Sequence, residues 1–191
     1  MNLGICGAHR TGKTTLAELI SVQTGKNFLR TTTSEIFRQH GLDPSKPLTF
    51  VDRLKIQKKI LIAYEQIWSV QDKEFISDRT PIDLMAYTLA DIQGSVEVDY
   101  FELSQYIENC FSATNKYFKL LIIIQPGIEL VAADGKAALN KAYMEHLNTL
   151  VIGLCHDSRL RCKIARIKRE KIELESRLKE IQKIMNKYWS I

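Results

Sequence analysis

The feature that most constrains this chain is a glycine-rich stretch near its start, GICGAHRTGKTTLAEL at residues 4–19. It carries the spacing G-x-x-x-x-G-K-T, with an apolar run before it and a helical apolar pattern after it. Backbone N–H groups of such a loop and the positive end of the next helix converge on an anion. The stretch therefore predicts a nucleotide-phosphate site. Its predicted cofactor-binding residues are Gly7, Ala8, His9, Arg10, Thr11, Gly12, Lys13, Thr14 and Thr15.

Side chains of the loop add chemistry to this backbone site. Lys13 offers a positive charge to the β and γ phosphates of ATP, and the Thr14 hydroxyl suits Mg²⁺, which prefers hard oxygen ligands. His9 also lies in the loop, where the backbone does the binding, so we expect a simple loop-tip side chain there. The chain lacks the N-K-x-D of GTP switches and the L-S-G-G-Q of transporter ATPases, and its apolar strand LLIIIQ ends in Gln125 rather than an acid.

A second strand end, ISDRTPIDLMAY at residues 76–87, predicts a partner for the loop. It places Asp78 and Arg79 where ligands of open α/β sheets bind. An acid there can hold the Mg²⁺ shell or take a proton from an attacking hydroxyl, and an arginine can clamp a phosphoryl oxygen. The alternative is an ion-paired strand end that caps the helix at Thr80.

Strands and helices alternate along the chain, which predicts an α/β fold with a parallel sheet between helices. Strands are expected at 2–6, 27–32, 74–78, 118–125 and 159–167, and helices at 12–24, 33–41, 49–70, from Pro81, at 100–117, 136–155 and 168–189. We expect a phosphate-loop domain over 1–167 with a lid near 127–142. Residues 168–191 are expected to form an amphipathic helix that packs on the domain or at an interface.

The charge and the apolar content of the chain indicate which partners and which cellular location to expect. The net charge is +5, and residues 157–191 hold 11 Lys/Arg against 5 Asp/Glu, so this segment is either an anion-binding surface or a solvated helix face. No apolar run approaches the roughly 18 residues of a membrane span, and a phosphate loop that begins at Gly7 leaves no room for a signal peptide. The four cysteines form no C-x-x-C pair, which predicts neither zinc nor disulfides. A cytoplasmic protein with no membrane partner is expected.

The order of the motifs resembles that of the NadR-like nucleoside/nucleotide kinases, a phosphate-loop group common in phages. The resemblance covers roughly residues 1–150 and rests on GAHRTGKTTLA, TTTSEIFRQHGLDP, DRLKIQKKIL, ISDRTPIDLMAY and QPGIELVAADGK. The chain is similar also to the thymidylate-kinase and deoxynucleoside-kinase family, whose Asp-Arg strand end and following Ala-Tyr match Asp78, Arg79, Ala86 and Tyr87. This resemblance implies an ATP- and Mg²⁺-dependent kinase whose acceptor is a small nucleoside or nucleotide.

Particular residues take roles from the resemblance. Lys13 and Thr14 would serve ATP and Mg²⁺, Asp78 would be the acidic residue of the catalytic centre and share the metal, and Arg79 would meet the acceptor. Arg53 and Gln57, four apart on the long helix, look like the pair that hydrogen-bonds the acceptor base or sugar. An exposed polar position is the alternative for Gln57.

The late loop and the last strand carry the remaining expectations from the resemblance. The family's late loop has an arginine after Asp-Gly, whereas this chain has Lys136, with Lys141 nearby. Lys136 and Lys141 are the candidates for the lid charge, with Lys136 as the expected catalytic residue, although lysine lacks the forked geometry of arginine. Arg161 or Arg166, beside the last strand, is expected on the ATP side.

Other functions stay open at this point. A kinase acting on a hydroxymethylated base in DNA would use residues 157–191 to hold the phosphate backbone. A nucleotide-gated binding protein would hydrolyse ATP slowly and use its basic helix for a partner. Whether the chain forms a homodimer, and which base and sugar the acceptor carries, are not set by the sequence.

Overall fold

A computed structural model describes residues 2–31, 33–39, 41, 48–94, 96–128 and 140–188. Five strands form one sheet in which every paired neighbour is parallel. They are β1 (Leu3–Cys6), β2 (Asn27–Leu29), β3 (Phe75–Ser77), β4 (Leu120–Ile124) and β5 (Lys163–Ile167). The spatial order is β2-β3-β1-β4-β5, so the strands that precede the two predicted site segments, β1 and β3, are neighbours.

Helices fill the connections between the strands, and one more helix follows the last strand. They are α1 (Lys13–Thr24), α2 (Thr33–Gln39), α3 (Phe50–Ser69), α4 (Pro81–Ala90), α5 (Tyr100–Tyr117), α6 (Lys141–Cys155) and α7 (Leu174–Tyr188). The predicted α/β class with a parallel sheet between helices is confirmed. None of the helices among the described residues is long and apolar enough to span a membrane.

Side chains of the central strand β4 alternate between two apolar clusters, as the two-residue period of a strand requires. Leu120, Ile122 and Ile124 lie in a cluster with residues of α1 and α7. Leu121 and Ile123 lie in the other cluster, with residues of α3, α4, α5 and α6. All five are at most 1% exposed, so both faces of this central strand are covered.

The C-terminal helix differs from its predicted extent. It begins at Leu174 rather than 168, because the chain reverses direction after β5 through a turn in which Lys171 N–H donates to the Lys168 carbonyl (3.1 Å). The apolar stripe of α7 is covered by the domain itself, since Leu178, Ile181 and Met185 are buried in the cluster with α1. Leu174, the first residue of the expected stripe, is exposed.

Several other elements are shorter than predicted at their ends. β2 ends at Leu29 rather than 32, and β5 begins at Lys163 rather than 159. α6 begins at Lys141, where the Asn140 side chain accepts a hydrogen bond from the Tyr143 N–H (3.0 Å) and caps the helix. Most of the predicted lid, residues 129–139, lies outside the described residues.

Candidate active site

Two glycines of the G-x-x-x-x-G-K-T loop are required by the backbone itself. Gly7 has a φ of +145°, and a Cβ there would lie 2.2 Å from the carbonyl oxygen of Ile124. Gly12 has a φ of +86° and caps the start of α1 in the left-handed conformation. Both conformations favour glycine, so the motif spacing corresponds to a tight loop that presents its backbone at the helix start.

Lys13 turns back into this loop. It is buried, and its Nζ donates to the carbonyl oxygens of Gly7 (2.6 Å) and Ala8 (2.7 Å). Burial, assisted by the nearby charge of Arg79, lowers the pKa of Lys13 to about 8, although Asp83 opposes this shift. The loop therefore holds the Lys13 ammonium group against its own carbonyl oxygens.

Asp78 joins the loop to the neighbouring strand β3. Its carboxylate accepts hydrogen bonds from the hydroxyls of Thr14 (2.5 Å) and Thr31 (3.4 Å), and its side chain is buried. The structure thus brings together Thr14 and Asp78, the two predicted metal ligands. Their hard oxygens fit Mg²⁺, which keeps several waters and needs few protein ligands. Among the described residues, no group of three or more His, Cys, Asp or Glu side chains could hold a metal ion.

The three predicted acceptor residues, Arg53, Gln57 and Arg79, line one cavity of about 330 Å³. Gln57 is only 4% exposed, so the alternative of an exposed polar position is wrong. Its Oε1 atom accepts no hydrogen bond from the residues that the structure describes. Arg53 forms an ion pair with Asp91, Nε to Oδ2, at 2.5 Å. The full lining is Thr33, Phe37, Arg53, Gln57, Tyr64, Arg79, Leu84, Tyr87, Asp91 and Tyr143.

Aromatic rings connect the phosphate loop to this cavity. The His9 ring centroid lies 6.4 Å from that of Tyr87 and 5.8 Å from that of Tyr143. His9 is buried, so it is not the simple loop-tip side chain that we expected. The Arg79 guanidinium carbon lies 5.9 Å from the centroid of the Tyr87 ring, which stacks the arginine over the cavity wall.

Asp83 is a site residue that the sequence analysis missed. One carboxylate oxygen accepts from the Gly7 N–H (2.9 Å), and the other accepts from the N–H and the hydroxyl of Thr80 (both 2.8 Å). The carboxylate therefore fastens the start of the loop to the start of α4. Thr80 and Asp83 have the spacing of a helix-capping pair, a signal that could have identified the local contact but not the bond to Gly7.

The predicted ATP-side arginines lie in different places. Arg161 precedes β5 at the amino edge of the sheet, where its N–H donates to Asn115 Oδ1 (2.7 Å), so the structure does not bring it to the loop. Arg166 is exposed near the carboxyl end of β5. Arg177, which was not predicted, reaches the loop instead, and its Nη1 donates to the Thr11 carbonyl (2.8 Å). Lys136 lies outside the described residues, and Lys141 is exposed.

Solved structures of two kinases and of a NadR protein share this fold. The M. mycoides deoxyadenosine kinase with dCMP and dCDP superposes with a TM-score of 0.68 at 19% identity, covering 98% of this chain and 99% of that one. The Candida albicans thymidylate kinase gives 0.62 at 14% identity, covering 97% and 90%. A NadR protein in complex with NR gives 0.68 at 14% identity, covering 99% of this chain and 51% of that one. The resemblance to the NadR-like and thymidylate-kinase-like phosphate-loop group is confirmed, and at these identities it shows the fold alone.

Sequence comparison points to a family as well. No curated protein matches the chain. A family model described as an AAA domain matches residues 3–173, which include the phosphate loop, the Asp78-Arg79 strand end and all five strands. Because that match spans most of its length, the chain belongs to this AAA domain family.

Proposed function

We propose that the protein transfers the terminal phosphoryl group of ATP to a nucleoside or a (deoxy)nucleoside monophosphate. One observation carries the proposal: Asp78 binds the phosphate loop through Thr14, and the next residue, Arg79, lines the cavity. A donor in the loop and an acceptor in the cavity would therefore meet at the end of β3. The likeness in fold to a kinase whose structures hold dCMP with dCDP, or dATP, supports this proposal.

The residues suggest a mechanism of positioning and charge stabilisation. The N–H groups of the loop and the Lys13 ammonium would hold the phosphates of ATP. Thr14 and Asp78 would hold Mg²⁺, which supplies positive charge to the phosphate oxygens. Asp78 would also accept the proton of the acceptor hydroxyl, and Arg79 would bind the phosphoryl group in transit with its fork of N–H donors.

The cavity suits a small acceptor. Ligand pockets span roughly 300–1,000 Å³, so a cavity of about 330 Å³ lies at the small end of that range. Gln57 offers a buried amide whose Oε1 is not used by the described residues, and an amide of this kind can both donate to and accept from a base edge. Phe37 and Tyr87 offer ring surface for a planar base.

The two alternatives from the sequence gain no support from the comparisons, and neither does a homodimer. Two lysines of the basic C-terminal segment are occupied within it, since Lys171 pairs with Glu180 (3.2 Å) and Lys179 pairs with Glu175 (2.6 Å). DNA as an acceptor, a nucleotide-gated partner, the phage setting and the cytoplasmic location all stay predictions.

A transfer screen tests the proposed function. Protein, Mg²⁺ and γ-labelled ATP are incubated with nucleosides, nucleoside monophosphates and hydroxymethylated DNA, and the labelled products are separated. Label on a small acceptor, lost in Lys13→Ala, supports the proposal. Label only on DNA would favour the DNA-kinase alternative. Slow release of inorganic phosphate with no labelled acceptor would overturn the kinase proposal and favour the binding protein.

A further inference from the structure

Arg177 is a buried arginine on the first turn of α7. The residue is 2% exposed, its Nε donates to the Lys171 carbonyl (2.6 Å), and its Nη1 donates to the Thr11 carbonyl (2.8 Å). No carboxylate among the described residues forms an ion pair with it. A buried cation is costly unless its partners compensate, and here the partners are carbonyl oxygens, one of which belongs to the phosphate loop.

The Thr11 carbonyl has a specific relation to the loop's amides. It belongs to the same peptide unit as the Gly12 N–H, and the described backbone contains no cis peptide bond. In a planar trans peptide the C=O and N–H point in opposite directions. Holding the Thr11 oxygen toward α7 therefore turns the Gly12 N–H away from α7. A hydrogen bond from a guanidinium is also stronger than one from a neutral donor, so it holds the peptide more firmly.

Packing fixes the position of this guanidinium. The next residue, Leu178, is buried with Ile181 and Met185 in the cluster that α7 shares with α1. Nη1 of Arg177 and Cδ1 of Ile128 each lie 3.8 Å from where a Cβ on Gly12 would be.

Arg177 lies beyond residues 3–173, the part of the chain that the family model matches.

We propose that Arg177 is a positioning residue of the phosphate loop. Its guanidinium holds the Thr11–Gly12 peptide so that the Gly12 N–H faces the phosphates of the nucleotide. Through this hydrogen bond the C-terminal helix is part of the nucleotide site. The inference rests on the nucleotide-binding half of the proposed function and does not require phosphoryl transfer.

Binding of ATP and Mg²⁺ without any acceptor tests the inference, in wild type, Arg177→Met, Arg177→Lys and Met185→Ala. Arg177→Met keeps the apolar stem and should raise the Kd for ATP about 10- to 100-fold, the loss expected for a hydrogen bond to a charged group. Arg177→Lys keeps one charged donor and should recover much of that loss. Met185→Ala removes packing from α7 but leaves the guanidinium, so it should lower the Tm with little change in Kd.

A spectroscopic readout separates positioning from general loosening of the helix. The amide resonance of Gly12 should move in Arg177→Met and stay near its wild-type position in Met185→Ala. The inference is overturned if the Kd of Arg177→Met for ATP is within about twofold of the wild-type value. It is also overturned if Met185→Ala raises the Kd as much as Arg177→Met does when the two variants lose the same Tm. Wild-type protein that binds ATP but transfers nothing would overturn the kinase proposal while leaving this inference standing. Wild-type protein that does not bind ATP would overturn both.

Discussion

The hydroxyl of Thr14 donates a hydrogen bond of 2.5 Å to the carboxylate of Asp78, which joins the start of α1 to the end of β3. The two residues are 64 positions apart, and they meet because β1 and β3 pair in register, Leu3 with Ile76 and Gly4 with Ser77. Two oxygen groups that suit Mg²⁺ thus stand where the phosphate loop and the cavity meet.

Replacing Asp78 with Asn keeps the shape of the side chain and removes its charge. If Asp78 accepts the acceptor's proton and shares the Mg²⁺, ATP should still bind while kcat falls roughly 10²-fold or more. Asp72→Asn, at an exposed position, is the matched control and should leave both quantities unchanged. The measurement is labelled-phosphate transfer beside ATP binding. An unaltered kcat in Asp78→Asn would leave Asp78 as a strand-end cap only.

Lys13 gives the nucleotide-free protein a distinct dependence of stability on pH. Its pKa in the folded protein is about 8, whereas an unperturbed lysine has a pKa of about 10.4. Between these values the unfolded chain binds more protons than the folded protein. The contribution of Lys13 to the free energy of unfolding therefore rises with pH from about 8 to about 10. Urea denaturation across this range measures it.

A variant without the ionisable group isolates that contribution from other titrating side chains. In Lys13→Met the rise in the free energy of unfolding should be absent. The value for wild type minus the value for the variant should therefore increase between pH 8 and 10. The affinity for ATP should fall over the same pH range, because deprotonated Lys13 no longer attracts phosphate. Its Kd should rise above pH 8, by up to about tenfold per pH unit. An ATP affinity that stays constant from pH 7 to pH 10 would contradict this role.

Local signals explain which site residues could be predicted. The loop glycines, Lys13 and Thr14 follow from a motif, and Asp78 and Arg79 follow from an acid and an arginine after an apolar strand. The four-residue spacing of Arg53 and Gln57 puts both on one face of a helix, and the resemblance to the kinase family implied their role toward the acceptor. Each of these signals is contained in a short stretch of sequence, so it could be recognised without knowledge of the tertiary fold.

Contacts between distant segments explain the residues that were missed. Asp83 accepts a hydrogen bond from Gly7, 76 positions away, and Arg177 donates one to Thr11, 166 positions away. No local sequence pattern indicates either contact. The resemblance implied that Arg161 or Arg166 lies on the ATP side. Because β5 begins at Lys163, Arg161 precedes the strand at the amino edge of the sheet, whereas Arg166 lies near its carboxyl end.

Lys136 remains the predicted cation of the lid, outside the described residues. A lid cation acts chiefly on charge that develops in the transition state, so Lys136→Ala should lower kcat more than it raises KM. Lys136→Arg should retain activity because its planar fork also binds phosphate oxygens. Lys73→Ala, at an exposed position just before β3, is the control. Steady-state kinetics at varied ATP would contradict the role if only KM changes.

The ion pair between Arg53 and Asp91 predicts how the cavity chooses its acceptor. Arg53 and Arg79 are the arginines among the described lining residues, and Asp91 lies 2.5 Å from Arg53. A carboxylate so close neutralises Arg53 and repels a phosphate, so the cavity should favour an uncharged nucleoside over a monophosphate. Asp91→Asn should free Arg53 and raise kcat/KM for monophosphates relative to nucleosides, by about tenfold for a gain of about 1.4 kcal/mol.

Glu102→Gln provides the matched control for this change, since it removes a surface ion pair with Lys58 outside the cavity. That variant should leave the ratio of monophosphate to nucleoside kcat/KM at its wild-type value. The same ratio in Asp91→Asn decides the role of the carboxylate. A rise means that Asp91 excludes a phosphorylated acceptor by charge, because the amide keeps the size of the side chain. A loss of activity toward both acceptor classes means instead that Asp91 holds the Arg53 side chain in place for either one, since a misplaced guanidinium would weaken the binding of both.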